Sequence, residues 1–320
     1  NKHSVTYAAV MVTKSGKGRW VQTNLTPILN TKGDVVKMVA IDSDITDIKR
    51  AEQEVKKANE DLAREKKRSD ELLLNVLPYE TAEELKKTGK ARPKQYQLTT
   101  ILFTDFINFS RIAENITPEQ LVSNLDQYFI KFDSIINKYN LEKIKTIGDA
   151  YMCAGGIPAA NKSNPFTVVL AGLEIQKYMK ALRVKTEDTD NPSWKLRLGI
   201  HSGELVTGVV GEKKFAYDIW GDSVNTASRI ESAGEAEKVN ISGSTFNIIK
   251  DYFDCSYRGK IKVKNKGEID MYFVNRIIPE FSADKEGLEP NEKFMNYLKS
   301  LDLPVLDAES YKDSNSIFRA

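Results

Sequence analysis

The 320-residue sequence predicts an α+β architecture. A β-rich leading segment is followed by one long charged helix, and then by a domain in which an antiparallel or mixed sheet carries crossover helices. Three observations predict this. Strand-like alternation fills residues 1–46. Residues 47–77 hold no Gly or Pro and repeat apolar side chains at alternating three- and four-residue spacing. From residue 98 onward, short apolar runs alternate with amphipathic helical stretches.

Composition narrows the function classes. At 41% hydrophobic and 29% charged residues, the chain is ordinary globular material. A net charge of +2 gives no reason to expect a nucleic-acid partner. Cys153 and Cys255 are too few for a disulfide framework or a zinc site. No apolar run approaches the ~18 residues that span a bilayer, and no secretory signal pattern is visible. The expectation is a reducing, cytoplasmic setting. Because the first residue is Asn1 and not Met, a piece of a longer protein is also expected.

In chain order, Arg19–Leu29 alternates around Trp20, Asn30-Thr-Lys-Gly-Asp34 is a turn cluster, and Val35–Ile41 is a short apolar run. By themselves these make a generic hairpin. The Gly18-Arg-Trp-Val run, the Gly33-Asp turn and the exit Asp44-Ile-Thr-Asp-Ile-Lys49 resemble the last strands of a PAS sensor domain. The following helix, about Asp47 to Val76, reads in heptads. One seam position carries Ile48, Val55, Leu62, Ser69 and Val76; the other carries Ala51, Ala58, Glu65 and Leu72. A solvated single helix and a parallel coiled coil both suit this pattern, and the unbroken register favours the coiled coil. Residues 78–97, with a helical element around Thr81–Leu85, read as a connector.

Residues 98–277 form the next domain. Thr99–Phe103 is a buried strand. Thr117-Pro-Glu-Gln120 is a capping box with Pro at the first helical position, opening a helix whose apolar face is Leu121, Leu125, Phe129, Phe132 and Ile136. Glu142–Ile147, Gly148-Asp149 and Ala150–Cys153 read as a hairpin. A helix over about Pro165–Leu182 follows, then strands at Lys195–Ile200 and Leu205–Val209. A further helix at Ser223–Ser232 is ended by Gly234, and strands at Lys260–Val263 and Met271–Val274 close the domain. Residues 278–320 read as a tail with one amphipathic stretch, Phe294–Leu301.

Two carboxylates stand where strands end. Asp105 follows the buried strand, and Asp149 sits at the hairpin tip. Alone, Asp149 is a turn residue. Together, with one long helix between them, the two can meet at one sheet edge, and Mg²⁺ takes such hard oxygen ligands along with substrate phosphates. Asn225 and Arg229, four apart, share a helix face that on its own would read as solvated.

Three blocks, Phe103-Thr-Asp-Phe-Ile-Asn-Phe-Ser110, Lys143-Ile-Lys-Thr-Ile-Gly-Asp-Ala-Tyr-Met152 and Tyr217-Asp-Ile-Trp-Gly-Asp-Ser-Val-Asn-Thr-Ala-Ser-Arg229, occur in order. They resemble the signature blocks of class III adenylyl and guanylyl cyclases. The resemblance implies that family's ferredoxin-like or palm-type sheet, and cyclisation of a nucleoside triphosphate by its own 3′-hydroxyl. It implies that Asp105 and Asp149 hold two Mg²⁺ ions, with Mn²⁺ able to substitute and the Phe106 carbonyl as a further ligand. Asn225 would orient the ribose, Arg229 would stabilise the α-phosphate, and Lys264 would bind the terminal phosphates. Lys266 is an alternative to Lys264 because Asn265 stands where the family often has Gly, and Lys213 or Lys214 could also reach the triphosphate. Lys145 and Asp218 match the adenylyl pair, where guanylyl enzymes typically carry Glu and Cys. Lys only donates and ionised Asp only accepts, which complements adenine and mismatches guanine. Trp194, Trp220 and His201 read as structural. The implied enzyme is an adenylate cyclase acting on ATP as a homodimer with sites shared across the interface, under an upstream sensor domain.

Overall fold

The computed structural model describes residues 3–186, 194–212, 214–263 and 267–302. The chain divides into two compact units, Asn1–Asn75 and Val76–Ala320.

The first unit is an antiparallel meander, β1 (Val5–Val12), β2 (Gly18–Leu29) and β3 (Val35–Asp44), followed by helix α1 (Thr46–Leu74). The expected turn cluster closes β2 on β3. The Asn30 side-chain oxygen accepts the N–H groups of Lys32 (3.0 Å) and Asp34 (2.9 Å), an Asx turn. At the strand-to-helix junction, the Asp44 carboxylate accepts the Thr46 hydroxyl at 2.6 Å and its N–H at 3.0 Å. Those two bonds, then Arg19, hold the Asp44 carboxyl down to about 2. Helix α1 has no buried residue, and it ends at Leu74, so the expected seam position Val76 lies beyond it. Pro78 accounts for the early stop: it has no N–H to donate to the Leu74 carbonyl four residues back, and its ring would crowd that carbonyl.

The second unit opens with α2 (Tyr79–Thr88) and β4 (Lys94–Phe106), then α3 (Phe109–Ala113), α4 (Pro118–Lys138), β5 (Glu142–Ile147) and β6 (Ala150–Gly155). Helix α5 (Asn164–Thr186), β7 (Leu196–Val210), β8 (Ala216–Trp220), α6 (Asp222–Ser232), β9 (Val239–Ser242) and α7 (Gly243–Ile249) follow. The hairpin β10 (Phe253–Val263) and β11 (Gly267–Ile277) and helix α8 (Glu292–Leu301) complete it. The sheet order is β10-β11-β9-β7-β4-β6-β5, with β8 paired to β7. Among the described residues only β7 and β9 run parallel; the other pairs are antiparallel. The capping box forms as the sequence predicts: Gln120 N–H donates to Thr117 Oγ at 3.2 Å, and Thr117 N–H to Gln120 Oε1 at 3.1 Å.

Side-chain alternation along the central strands separates two cores. Leu102, Phe106, Tyr151, Cys153, Leu196 and Leu198 pack with residues of α4 and α5. Ile101, Phe103, Met152 and Ala154 pack with Ile219 of β8 and Ala227 of α6.

Three expectations need correction. The strands expected at Lys195–Ile200 and Leu205–Val209 are one strand, β7. Gly203 is no break: a Cβ there would lie 2.4 Å from Ser223 Oγ, so the glycine lets α6 approach the sheet. Helix α6 is capped by Ala233 in a right-handed conformation, and Gly234 makes no left-handed turn. Finally, the core extends past residue 277. Phe294 and Leu298 of α8 are buried in it, and the Asp302 carboxylate accepts the N–H groups of Lys162 (2.8 Å) and Ser163 (3.1 Å) at the start of α5.

Candidate active site

Asp105 is the penultimate residue of β4, on the same strand face as Ile101 and Phe103. Asp149 occupies the two-residue β5–β6 turn, where Gly148 takes a positive φ of 62° at the first central position, the place a type II′ turn gives to glycine. The two carboxylates meet. Burial pushes the Asp149 carboxyl up to about 6, the Asp105 charge adds to this, and the backbone N–H groups of Asp149 and Phe106 pull the other way. The Phe106 ring is buried against Trp194 and Tyr128, 5.1 and 5.3 Å between centroids, which leaves only its backbone facing Asp149.

These groups border a cavity of about 420 Å³, with Asn108, Phe109, Ser110 and Arg111 from the β4–α3 turn and Arg197 from β7. Among the described residues, no three His, Cys, Asp or Glu side chains gather. Two adjoining carboxylates with backbone beside them and open volume ahead is nonetheless the sparse donor set that Mg²⁺ uses when substrate phosphates supply further ligands. Burial first, and then the Asp105 charge, raise Asp149, and a divalent cation would offset both.

A second cluster forms elsewhere on the sheet. Lys145 Nζ lies 2.5 Å from Asp218 Oδ2, joining β5 to β8 across 73 residues of sequence. Residues two apart on a strand share a face, yet Lys143 and Lys145 part company. Lys143 reaches Asp133 of α4 at 2.8 Å. Between the two lysines the β5–β6 register slips by one residue at Ile144, and that bulge turns Lys145 to the β8 side. Asp133 also accepts the buried Tyr151 hydroxyl at 2.6 Å, tying α4 to both strands of the hairpin.

Helix α6 buries Ser223, Thr226, Ala227, Ile230 and Glu231, and exposes Asn225 and Arg229 together on its opposite face. Among the described residues, neither exposed side chain has a hydrogen-bond or ion-pair partner. None of Lys145, Asp218, Asn225 and Arg229 borders the cavity of Asp105 and Asp149. The described residues of one chain thus leave these four outside the cavity of the carboxylate pair. Lys264, Lys266 and Lys213 lie outside the described residues, and Lys214 is exposed in the β7–β8 turn. Trp194 is core, Trp220 is 41% exposed at the rim, and buried His201 shares hydrogen bonds with Ser242 and Ser244 at 2.8 and 3.2 Å.

Two residues escaped the sequence reading. Arg197 stands opposite Asp105 in the β4–β7 ladder and donates to its carboxylate. The same guanidinium lies 3.3 Å from the buried Glu231, an ion pair without hydrogen-bond alignment.

Residues 91–276 match the family described as the adenylate and guanylate cyclase catalytic domain. This chain belongs to that family. Within it, the guanylate cyclase soluble subunit beta-2 of Rattus norvegicus is 34% identical over 232 residues, 71% of this chain but only 33% of the relative. The chain therefore spans about a third of that cyclase's length. Among solved structures, the catalytic core of a rhodopsin-guanylyl cyclase with converted specificity, in complex with ATPalphaS, is 32% identical with a TM-score of 0.54. It covers 57% of this cyclase-family chain and 97% of its own. The adenylyl cyclase CyaB from P. aeruginosa is 31% identical with the same TM-score of 0.54, covering 57% and 95%. Among the described residues, no helix is long and apolar enough to cross a membrane.

Proposed function

We propose that this chain is an adenylate cyclase, converting ATP to 3′,5′-cyclic AMP and pyrophosphate in sites shared by two copies. The observation that carries the choice of ATP is the contact of Lys145 with Asp218. A lone donor beside a lone acceptor complements the adenine N1 and 6-amino group and leaves both groups mismatched to guanine. Without nucleotide the pair satisfies itself, and an entering adenine replaces that one ion pair with two base contacts.

The division of labour is carried over from the family resemblance, residue by residue. Asp105 and Asp149, with the Phe106 backbone, would hold two Mg²⁺ ions, or Mn²⁺ in their place. Such ions supply a lowered pKa for the ribose 3′-hydroxyl and neutralisation of the leaving triphosphate. Asn225 orients the ribose. Arg229, unpaired among the described residues, aims a fixed positive charge at the α-phosphate as its charge builds. Lys264 takes the terminal phosphates.

The separation of the metal pair from Lys145, Asp218, Asn225 and Arg229 supports the shared site. A two-fold homodimer would bring the metal half of each copy to the other copy's base-reading and α6 half, giving two equivalent sites. The first unit fits the closing strands of a PAS sensor, and the α1 seam fits a parallel coiled coil that passes the sensor's signal on.

A guanylate cyclase is the second reading, favoured by names such as that of the Rattus norvegicus relative. Initial rates of the purified chain with ATP and with GTP, each in Mg²⁺ and in Mn²⁺, separate the two. Cyclic AMP as the dominant product supports our reading, and dominant cyclic GMP overturns it.

A further inference from the structure

We propose that Arg111 is a substrate-binding residue, gripping the pyrophosphate end of the nucleoside triphosphate from the wall of the carboxylate cavity. This rests on the reading of Asp105 and Asp149 as the metal pair.

The chain fixes the base of Arg111 and leaves its head free. After β4, Asn108 passes through the left-handed region at a φ of 58°, a conformation that its short polar side chain tolerates. Helix α3 then lays Phe109 and Ile112 against the core, with the Phe109 ring 6.0 Å from that of Trp194. Ser110 and Arg111, between those two anchors, stay exposed and border the cavity. The Arg111 carbonyl accepts the Asn115 side-chain N–H at 2.6 Å, which ties down the backbone at this point. Among the described residues, the guanidinium itself has no hydrogen-bond or ion-pair partner.

Charge decides what that head can do. Four charged side chains line the cavity: Asp105, Asp149, Arg197 and Arg111. Arg197 is already paired with Asp105 and Glu231. Among the described residues, Arg111 is thus the cation on this wall that is left to meet an incoming anion. Ions held by two carboxylates complete their coordination with substrate phosphates, so the phosphates arrive in this same cavity. A guanidinium fork matches phosphate oxygens two at a time. Under the proposed function the α-phosphate and ribose belong to Arg229 and Asn225, which leaves Arg111 the β- and γ-phosphates. A group that holds these two both before and after the attack contributes uniform binding, and so acts mainly on KM.

The test titrates inorganic pyrophosphate, in Mg²⁺, into the purified protein by calorimetry, with AMP as a control ligand that lacks the pyrophosphate end. Arg111→Gln should weaken pyrophosphate binding by roughly tenfold, the loss of a charged hydrogen bond, and should leave AMP binding as in the parent. Arg111→Lys, which keeps the charge without the fork, should recover part of the loss. In turnover, Arg111→Gln should raise KM for the nucleotide by more than it lowers kcat. A merely structural role would weaken pyrophosphate and AMP alike. Parent-like pyrophosphate binding by Arg111→Gln, equal losses of pyrophosphate and AMP, or a parent that binds no pyrophosphate would each overturn the proposal. Mn²⁺ binding to nucleotide-free Asp149→Asn, followed by electron paramagnetic resonance, separates the two levels. If it equals the parent's, the metal reading falls and takes this one with it. If Mn²⁺ is lost there while Arg111→Gln still binds pyrophosphate like the parent, only the role of Arg111 falls.

Discussion

In the first unit, β1 and β3 leave every residue exposed. In the second, β6 buries every residue but its first. The contrast is not one of composition, since Val5, Val10, Met11, Val36 and Ile41 are as apolar as the residues of a core strand. What differs is cover. Side chains of β4, β6 and β7 pack against helices and against Ile219 of β8, while among the described residues of the first unit only Thr23 is buried. An apolar sheet face left in water contributes no burial free energy. The second unit buries cores of its own, whereas the described residues of the first bury almost none.

The largest effect we expect separates chemistry from fold within the second unit. Asp105→Ala or Asp149→Ala should lower cyclic AMP formation by at least ~10³-fold with the fold retained, because both carboxylates lie at strand ends. Asp105→Ala should melt earlier than Asp149→Ala, since it also removes the Arg197 ion pair. Near-parent turnover in Mg²⁺ would break the metal assignment. Next comes the core itself. Phe132, fully buried on α4, should cost about 3–5 kcal/mol when cut to Ala in a denaturant titration.

A third expectation concerns protons. The folded pKa of Asp149, about 6, lies above its ordinary value of 3.8. Protonation therefore stabilises the cation-free fold fully below the ordinary value, and that contribution is lost as pH rises through about 6. A divalent ion competes with this proton, so Mn²⁺ affinity should fall about tenfold per pH unit below 6. Affinity flat from pH 5 to 7 would contradict the carboxylate pair.

Smaller effects belong to the first unit. In α1, the seam residues Ile48, Val55 and Leu62 are each more than half exposed. A seven-residue insertion near Leu62 keeps the heptad register and should keep activity, whereas three or four residues rotate one end against the other and should shift it severalfold. Equal activity at all lengths would make α1 a passive tether. Smallest of all, Val10→Ala in the exposed face of β1 should change stability by less than about 0.5 kcal/mol; a core-sized loss would show that the face is covered after all.

What was legible in the sequence was local or carried by motif. The Thr117 capping box, the Asn30–Asp34 turn and the Gly148-Asp149 hairpin tip each need only a few neighbouring residues to declare themselves. The meeting of Lys145 with Asp218 came from the family resemblance, since nothing short-range links β5 to β8. Arg197 was not legible because its role depends on strand register across 92 residues, and a one-residue slip would have turned it to the other face. The single strand β7 reads as two in the sequence, because the close approach of α6 at Gly203 shows only once the helix is placed. Helix α8 showed its amphipathic spacing, but not that its apolar side completes a core begun far earlier in the chain.

The central claim is a cyclase site completed by a second copy of the chain. Its most direct measurement mixes Asp105→Ala with Arg229→Ala, each inactive alone, and follows cyclic AMP formation from ATP. After subunit exchange, verified by differently tagged copies, half of the dimers are mixed and each mixed dimer regains one intact site. Activity should therefore return to about a quarter of the parent's. Verified exchange with no recovered activity would contradict the shared site.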